Sequence, residues 1–409
     1  MRLDAECVIV GGGIGGAVLA LALGQAGRRV LILERETVPP SHPRPEILAG
    51  ATLDTFSRLG IGERIVREAA LPLAGLELFE AGGRTSLFRV TREDLQRAQA
   101  RPYSTDPAAT RRIVLEEAQR TGRVVIERGV EAQGLLTQDG RVVGVRALKG
   151  GSPVEYRAPL TVGDDGTQSI LRAAMGATVT LREFPLDFLG AVIPRLPQQA
   201  QDAANGWIDA RGLRRGLFAG LFLPIPGNRT ALVFALAPAA WTRFRAAPAT
   251  FAAAAARLSP PGADPTRLPN IPDGYGHFRR PFGHASRYVG EGIALLGDAA
   301  HPVTPAGGQG ANMSVADATA LAVVALEALR SGDCSARRLA AYEAARRPAN
   351  ARSLQFSARP TTVFRLLQAV PLLAPWLISF VRSVNQRPDA KRRFIGGVAQ
   401  AFVSRDNEE

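Results

Sequence analysis

The stretch Val8-Ile9-Val10-Gly11-Gly12-Gly13-Ile14-Gly15-Gly16 decides the fold. Its three β-branched residues make a short buried strand, and five glycines in the next six positions end it in a tight turn. Gly11 permits the turn, Gly13 lets a pyrophosphate approach the backbone, and Gly16 lets helix and strand pack closely. Residues 18–25 then have helical composition, Gly27 stops them, and residues 29–34 form a second apolar run. That run ends in Glu34, 18 residues after Gly16. Strand, turn, helix, strand and acid within about thirty residues are the size of one mononucleotide-binding unit. The helix start offers unpaired N–H groups and partial positive charge to phosphates. An acid at the end of the second strand bonds ribose hydroxyls and favours an unphosphorylated ribose, as in FAD or NAD.

Outward from this unit the elements alternate. Residues 48–59 read as a helix closed by Gly60, and residues 73–90 as a hairpin around Gly82-Gly83. Residues 108–121 form a helix, and short strands follow at 124–127, 134–137 and 142–147, the last two joined by a tight Asp139-Gly140 turn. Between residues 178 and 284 the segments alternate and carry Trp207, Phe218, Phe222 and Phe234, as a mostly antiparallel sheet does. Buried-strand character returns at 292–296, a helix runs to about 329, and another at 335–347 should stop at Pro348. The fold class is therefore α/β: a Rossmann-like nucleotide-binding domain, an inserted, mostly antiparallel β-sheet domain and a helical C-terminus. The expected divisions are 1–72, 93–177 and 285–350 for the nucleotide-binding domain. Residues 73–92 and 178–284 form the inserted domain, and 351–409 the terminal helices.

Composition narrows the function. The chain has 409 residues, long enough to bury a core without disulfide or metal, and only two cysteines, Cys7 and Cys334, with no CxxC spacing. Four scattered histidines offer no metal site. The net charge of +13 comes almost wholly from arginine, since Lys149 and Lys391 are the only lysines. The arginines are scattered, with no run of five like charges. A solvated surface fits better than a nucleic-acid footprint. The N-terminus carries acids and lacks a cleavage-type segment, so a cytoplasmic location is expected.

Two further motifs complete the pattern. Val162-Gly163-Asp164-Asp165-Gly166-Thr167-Gln168-Ser169-Ile170-Leu171-Arg172 is a strand running into a polar turn. Leu296-Gly297-Asp298-Ala299-Ala300-His301-Pro302-Val303-Thr304-Pro305-Ala306-Gly307-Gly308-Gln309-Gly310-Ala311-Asn312 joins a buried strand, an aspartate, a glycine-rich loop and a helix. In this order and spacing the three motifs resemble those of the single-component, class A flavin-dependent aromatic hydroxylases, with a p-hydroxybenzoate-hydroxylase-like fold. The resemblance covers residues 1 to about 350. It has one departure, Asp164, where the family usually has alanine.

The resemblance implies site residues. Gly11, Gly13 and Gly16 would hold the FAD pyrophosphate and Glu34 the adenosine ribose. Arg35, Arg44 and Val130 are further cofactor candidates, with Arg44 near the pyrophosphate. An arginine on the 108–121 helix would join them; Arg112 is the assignment, with Arg111 left open beside it. Asp165 would support the cofactor, and Asp298 would bind the ribityl and phosphate region. Pro305 would lie beside the isoalloxazine ring. Gly308, Gly310, Ala311 and Asn312 would bring backbone N–H groups to the flavin edge, where Ala311 and Asn312 stabilise negative charge. His301 is expected to be a structural loop residue.

The implied activity is hydroxylation of an aromatic, quinone or polycyclic small molecule through a C4a-hydroperoxyflavin, with NADPH or NADH as electron donor and O2 as co-substrate. Trp207, Phe218, Phe222 and Phe234 are the candidates for lining the substrate pocket. Alternatives are a reductase of a prenyl-lipid substrate on the same fold and a non-catalytic FAD-binding protein. A flavin-dependent halogenase would need an active-site lysine and a WxWxIP stretch, which the sequence lacks. The apolar tail, residues 364–380, is expected to cap the flavin domain as a helical pair. Contact with a membrane is its alternative role. The assembly expected is a monomer or homodimer.

Overall fold

A computed structural model describes residues 5–38, 45–271, 273–305 and 308–400. The strand Cys7–Val10 lies inside a six-stranded sheet. Leu160–Gly163 and Val30–Glu34 flank it in parallel register, with Ile293–Leu295 and Val124–Arg128 beyond them. All four Cys7–Val10 side chains are buried, as a parallel strand covered on both faces requires. The helices Ile14–Gln25, Pro107–Arg120 and Gly310–Ser331 pack side by side over one face. An antiparallel meander of Val130–Gln138, Arg141–Lys149 and Ser152–Arg157 covers the other. Its first turn has Asp139 at φ 50° and Gly140 at φ 75°, the paired positive values that a two-residue hairpin needs. Cys7 and Cys334 are both buried and unbridged.

The second body is a seven-stranded sheet. Its strand order is Gly276–Phe278, Asp187–Pro194, Arg229–Leu236, Leu217–Ile225, Ala203–Ile208, Gly75–Glu80 and Ser86–Val90. All neighbours are antiparallel except Ala203–Ile208 against Gly75–Glu80. Helices Pro238–Ala246 and Pro248–Arg257 cover its outer face, where Trp207, Phe222 and Phe234 join Phe244, Phe251 and Tyr275 in one buried cluster. A small antiparallel sheet absent from the sequence reading, Glu46–Leu48, Tyr103–Thr105 and Ala70–Pro72, sits at the junction. Its Ile47 packs against the inner face of the large sheet.

Two expectations about the C-terminus are corrected. The helix expected to stop at Pro348 runs unbroken from Ala336 to Ala369, with Pro348 and Pro360 inside it. Proline removes one helical hydrogen bond. Here Arg346 and Asn350, on either side of Pro348, both grip the buried Asp317, at 2.8 Å and 2.9 Å. Tertiary contact thus overrides local propensity. The tail also caps the large sheet rather than the flavin domain. Leu367, Leu373 and Leu377 pack with Phe184 and Phe218, while Val381 and Val384 pack with Phe88 and Val90. Among the described residues one helix, Gly310–Ser331, is long and apolar enough to cross a membrane, but half of it is buried inside the protein as the core helix between Ile14–Gln25 and Ala336–Ala369.

Candidate functional site

The turn after Val10 is built on Gly11, whose φ is 100°. A Cβ there would run into the carbonyl of Asp164, just past the end of the neighbouring strand Leu160–Gly163, so only glycine fits. Gly13 then opens the helix Ile14–Gln25 with no side-chain cap. Gln309 likewise opens Gly310–Ser331 without one. These two neighbouring helix starts present backbone N–H groups that lack intrahelical acceptors. Their dipoles add positive potential at the same place.

Glu34 stands beside the first turn. Its carboxylate accepts from Gly12 N at 3.1 Å and from Glu36 N at 3.1 Å. It also pairs with Arg111, whose Nε donates to the Gly12 carbonyl. The arginine at the turn is therefore Arg111. Arg112 points outward to Glu116 at 2.7 Å and Glu68 at 3.5 Å, which corrects its assignment. Successive helical residues lie about 100° apart, so only one of the two can face the turn. Arg35 is exposed and pairs with Glu36 at 3.2 Å. Val130 is buried in the core, which leaves its main chain alone for any cofactor contact. Arg44 lies outside the described residues.

The second motif divides its two acids. Asp165 turns away from the groove to accept from Leu171 N at 3.0 Å, bracing the helix Ile170–Ala174 alongside its cap Ser169. Asp164 faces the first motif instead. Its Oδ2 accepts from Gly16 N at 2.8 Å. Gly13, Gly15, Gly16 and Gly297 surround it so closely that a Cβ on Gly13 would lie 2.6 Å from Oδ2 and one on Gly297 2.9 Å from Oδ1. Burial raises its pKa well above the usual carboxylate range. The Gly16 bond and Arg111 oppose that rise, and Asp298 and Asp165 add to it. Arg172 ties the second motif to the third through Thr167 O at 2.8 Å and Ala299 O at 2.9 Å.

In the third motif Asp298 pairs with Arg280 and accepts from Thr167 Oγ1 at 3.3 Å. Sequence reading did not single out Arg280, because an arginine 18 positions upstream carries no local signal. Glu46 was missed as a site residue too. Its carboxyl is pushed up to about 7 by burial, with Asp106 and Asp298 adding to the shift. Gly308, at φ 65°, comes close to Ile47 and bonds back to the Pro305 carbonyl at 3.0 Å.

The side chain of Asn312 is used within the protein. Its Oδ1 accepts from Ala49 N at 2.8 Å and Thr52 Oγ1 at 2.6 Å, and its Nδ2 donates to Ile47 O and Gly308 O, both at 2.9 Å. Every hydrogen-bonding position of that amide is occupied. Asn312 and its neighbours Gly310 and Ala311 can offer only main-chain N–H groups. His301 faces away from the groove. It bonds the fully buried Asp317, which Arg346 also holds. Burial alone would raise the Asp317 carboxyl; these two partners hold it far below the usual range.

Three of the proposed pocket aromatics are corrected. Trp207, Phe222 and Phe234 lie on the outer face of the sheet, against the covering helices, and Trp207 Nε1 bonds Gly83 O at 3.1 Å. Phe218 is on the inner face but packed among Phe184, Phe188 and Phe364. Between the two inner-face clusters runs a row across four strands, Gly190, Val233, Leu221 and Gly206. Its Val233 and Leu221 remain only half-buried. Half-exposed side chains in the centre of a covered sheet face mark open space in front of it.

These residues fit a ribose-bearing diphosphate. The glycine turn and two uncapped helix starts meet a fixed acid at one groove. Comparison with known proteins agrees. Residues 4–357 match the FAD binding domain family. A 6-methylpretetramide 4-monooxygenase of Streptomyces rimosus is 29% identical, over 85% of this chain and 81% of its own. The ubiquinone hydroxylase UbiL of Rhodospirillum rubrum is 29% identical, over 85% of this chain and 78% of its own. The crystal structure of p-nitrophenol 4-monooxygenase PnpA from Pseudomonas putida superposes with a TM-score of 0.79 at 21% identity, covering 99% of this chain and all of the other. The chain belongs to the FAD binding domain family and, within it, to the FAD-dependent monooxygenases with a p-hydroxybenzoate-hydroxylase-like fold.

Proposed function

We propose that the protein hydroxylates an apolar aromatic or quinone small molecule, using FAD, NADPH or NADH, and O2. The observation that carries the substrate class is the inner sheet face. The three rows Phe188–Ala235–Ala219–Ile208, Gly190–Val233–Leu221–Gly206 and Val192–Ala231–Leu223–Ala204 contain no polar side chain. A pocket floored this way selects by shape and apolar contact. None of the three rows carries an arginine to bind a substrate carboxylate. Relatives named for 6-methylpretetramide and ubiquinone are consistent with large, flat, lipophilic substrates.

In this reading Glu34, fixed by Arg111 and Gly12, binds the adenosine ribose. The starts of Ile14–Gln25 and Gly310–Ser331 hold the diphosphate and the flavin edge. Asp298, held by Arg280, meets the ribityl hydroxyls. Pro305 stands beside the ring. The main-chain N–H groups of Ala311 and Asn312 stabilise negative charge there. Bound at this place, FAD supplies hydride acceptance from the nicotinamide and activation of O2. The chain's own contribution is to bind, orient and exclude water. Glu46, whose carboxyl is pushed up to about 7, is a residue at this junction able to hold or release a proton at working pH.

The test is anaerobic reduction of the purified flavoprotein by NADPH and by NADH, with and without phenols, quinones and polycyclic aromatics. A compound that speeds reduction and is hydroxylated when O2 is admitted supports the reading. Reduction coupled to saturation of a prenyl lipid, with no oxygen incorporated, would replace it with the reductase. Bound flavin that no donor reduces would leave a non-catalytic binding protein.

A further inference from the structure

The outer side of the C-terminal helices is apolar where a protein surface is ordinarily polar. Leu372 is 87% exposed, Trp376 73% and Phe380 64%. Val363, Leu366 and Val370 precede them and are exposed as well. The spacings 363, 366, 370 and 376, 380 each keep to one helical face. The adjoining face of Ala374–Gln386 is already occupied, since Leu377, Val381 and Val384 pack onto the sheet. This helix is therefore apolar on two sides, one of them without a partner among the described residues. Exposed apolar residues gathered in one short stretch of chain mark an interaction site.

Charge identifies the partner. From residue 344 to residue 388 the chain carries seven arginines and no aspartate or glutamate; Arg346, Arg347 and Arg382 are paired with acids elsewhere, and the others have no carboxylate partner among the described residues. Arg359 lies one turn before Val363, and Arg387 two turns after Phe380, so exposed arginines stand at both ends of the apolar stripe. Neither forms an ion pair among the described residues. A second copy of the same chain would bring arginine against arginine across a two-fold axis. A spanning segment is excluded by Pro371, Pro375 and the packed inner face. We infer that this stripe docks on a lipid surface bearing anionic headgroups, with Leu372, Trp376 and Phe380 in the acyl boundary and the flanking arginines on the headgroups. Apolar insertion plus basic flanks is how interfacial helices bind, and tryptophan is enriched at that depth. The stripe backs onto the cluster of Phe184, Phe188 and Phe218 at one end of the inner sheet face. On the function proposed above, docking would bring the pocket to a substrate dissolved in lipid.

The test is sedimentation of the full-length protein with vesicles of phosphatidylcholine alone and of phosphatidylcholine with phosphatidylglycerol, at low and high salt. The wild type should pellet with the anionic vesicles at low salt, with a blue shift in tryptophan fluorescence. It should stay in solution with the neutral ones. W376S/F380S should lose at least tenfold in partitioning. R359Q/R387Q should lose roughly fivefold for each arginine. Both variants replace exposed side chains and should keep the far-ultraviolet spectrum and flavin content of the wild type. Wild type that ignores both vesicle types overturns the inference. So does a concentration-dependent dimer abolished by W376S/F380S, which would assign the face to a second copy. Vesicle binding by protein that hydroxylates nothing in the anaerobic reduction and O2 test above would leave the docking surface standing and defeat the substrate reading.

Discussion

The groove behind Gly11 and the inner face of the seven-stranded sheet meet at the short strand Glu46–Leu48, and they are made of opposite materials. The groove consists of backbone amides and fixed charge pairs, Glu34 with Arg111 and Asp298 with Arg280. The three central rows of the sheet face consist of glycine and apolar side chains; its charged residues, Arg229 with Asp106 and Glu80 with Arg382, stand at its ends. A cofactor common to many enzymes can be held by atoms every residue possesses, so long as glycine lets them come close. A substrate peculiar to one enzyme must be recognised by side chains, and those can be any set that fits. The two regions should therefore fail differently when altered.

The largest effect is expected at Gly11. Gly11→Ala forces a Cβ into the Asp164 carbonyl at a φ of 100°. It should cost on the order of 4 kcal/mol and abolish flavin retention. Gly82→Ala is the control on the substrate side. Its φ is 74°, yet nothing lies within 4 Å of the new Cβ. That change should cost about 1 kcal/mol and leave the flavin in place. Thermal melts and the flavin-to-protein absorbance ratio separate the two. Equal damage at both positions would mean that strain, not close approach, governs the turn.

Next comes a neighbouring pair on one strand. Phe222→Ala opens a hole in the outer cluster and should lower stability by about 3–4 kcal/mol without changing substrate preference. Leu221→Ala, on the half-buried row, should cost about 1 kcal/mol while raising substrate KM or uncoupling NAD(P)H oxidation from hydroxylation. The reverse pattern would move the pocket to the other face of the sheet.

A third pair lies on the groove side. Arg111→Ala removes the partner of Glu34 and of the Gly12 carbonyl. It should weaken FAD binding by about 2 kcal/mol, roughly thirtyfold. Arg112→Ala should change it less than about twofold, as expected for an exposed pair. Fluorescence titration of apoprotein with FAD reads both.

These pairs also show where the sequence was legible. The work of Gly11 is local, because a turn and its φ are written in adjacent residues. The same holds for Asp139-Gly140. Alternation along residues 217–225 tells that Phe222 and Leu221 face opposite ways, but not which way is inward. Only the helices Pro238–Ala246 and Pro248–Arg257, packed from elsewhere in the chain, decide that. The choice between Arg111 and Arg112 depends on the rotation of one helix against the sheet. The helix through Pro348 depends on Asp317, some thirty residues away. In each case the deciding partner is distant in sequence, and distance erases the local signal.

The smallest effect, and the most specific, concerns Asp164, the acid among four glycines. Its carboxyl sits where the first motif would receive a diphosphate, facing Asp165 in its own turn, Asp298 from the third motif and Arg111 from the helix Pro107–Arg120. Its pKa is raised above the usual carboxylate range by burial first and by its acidic neighbours next. The protonated form is thus the one compatible with an anionic ligand. The sign follows: a folded pKa above the unfolded value makes the folded state bind more protons, so stability falls as pH rises from the unfolded value through the folded one. A nearby diphosphate raises the folded value further, so FAD affinity should also fall with rising pH, by at most about tenfold per pH unit for one proton. Asp164→Asn keeps an oxygen to accept from Gly16 N and cannot ionise. Its FAD affinity, titrated across the same range, should lose this component and exceed that of the wild type at the alkaline end. Parallel titration curves for the two proteins would show that the Asp164 proton plays no part in holding the cofactor.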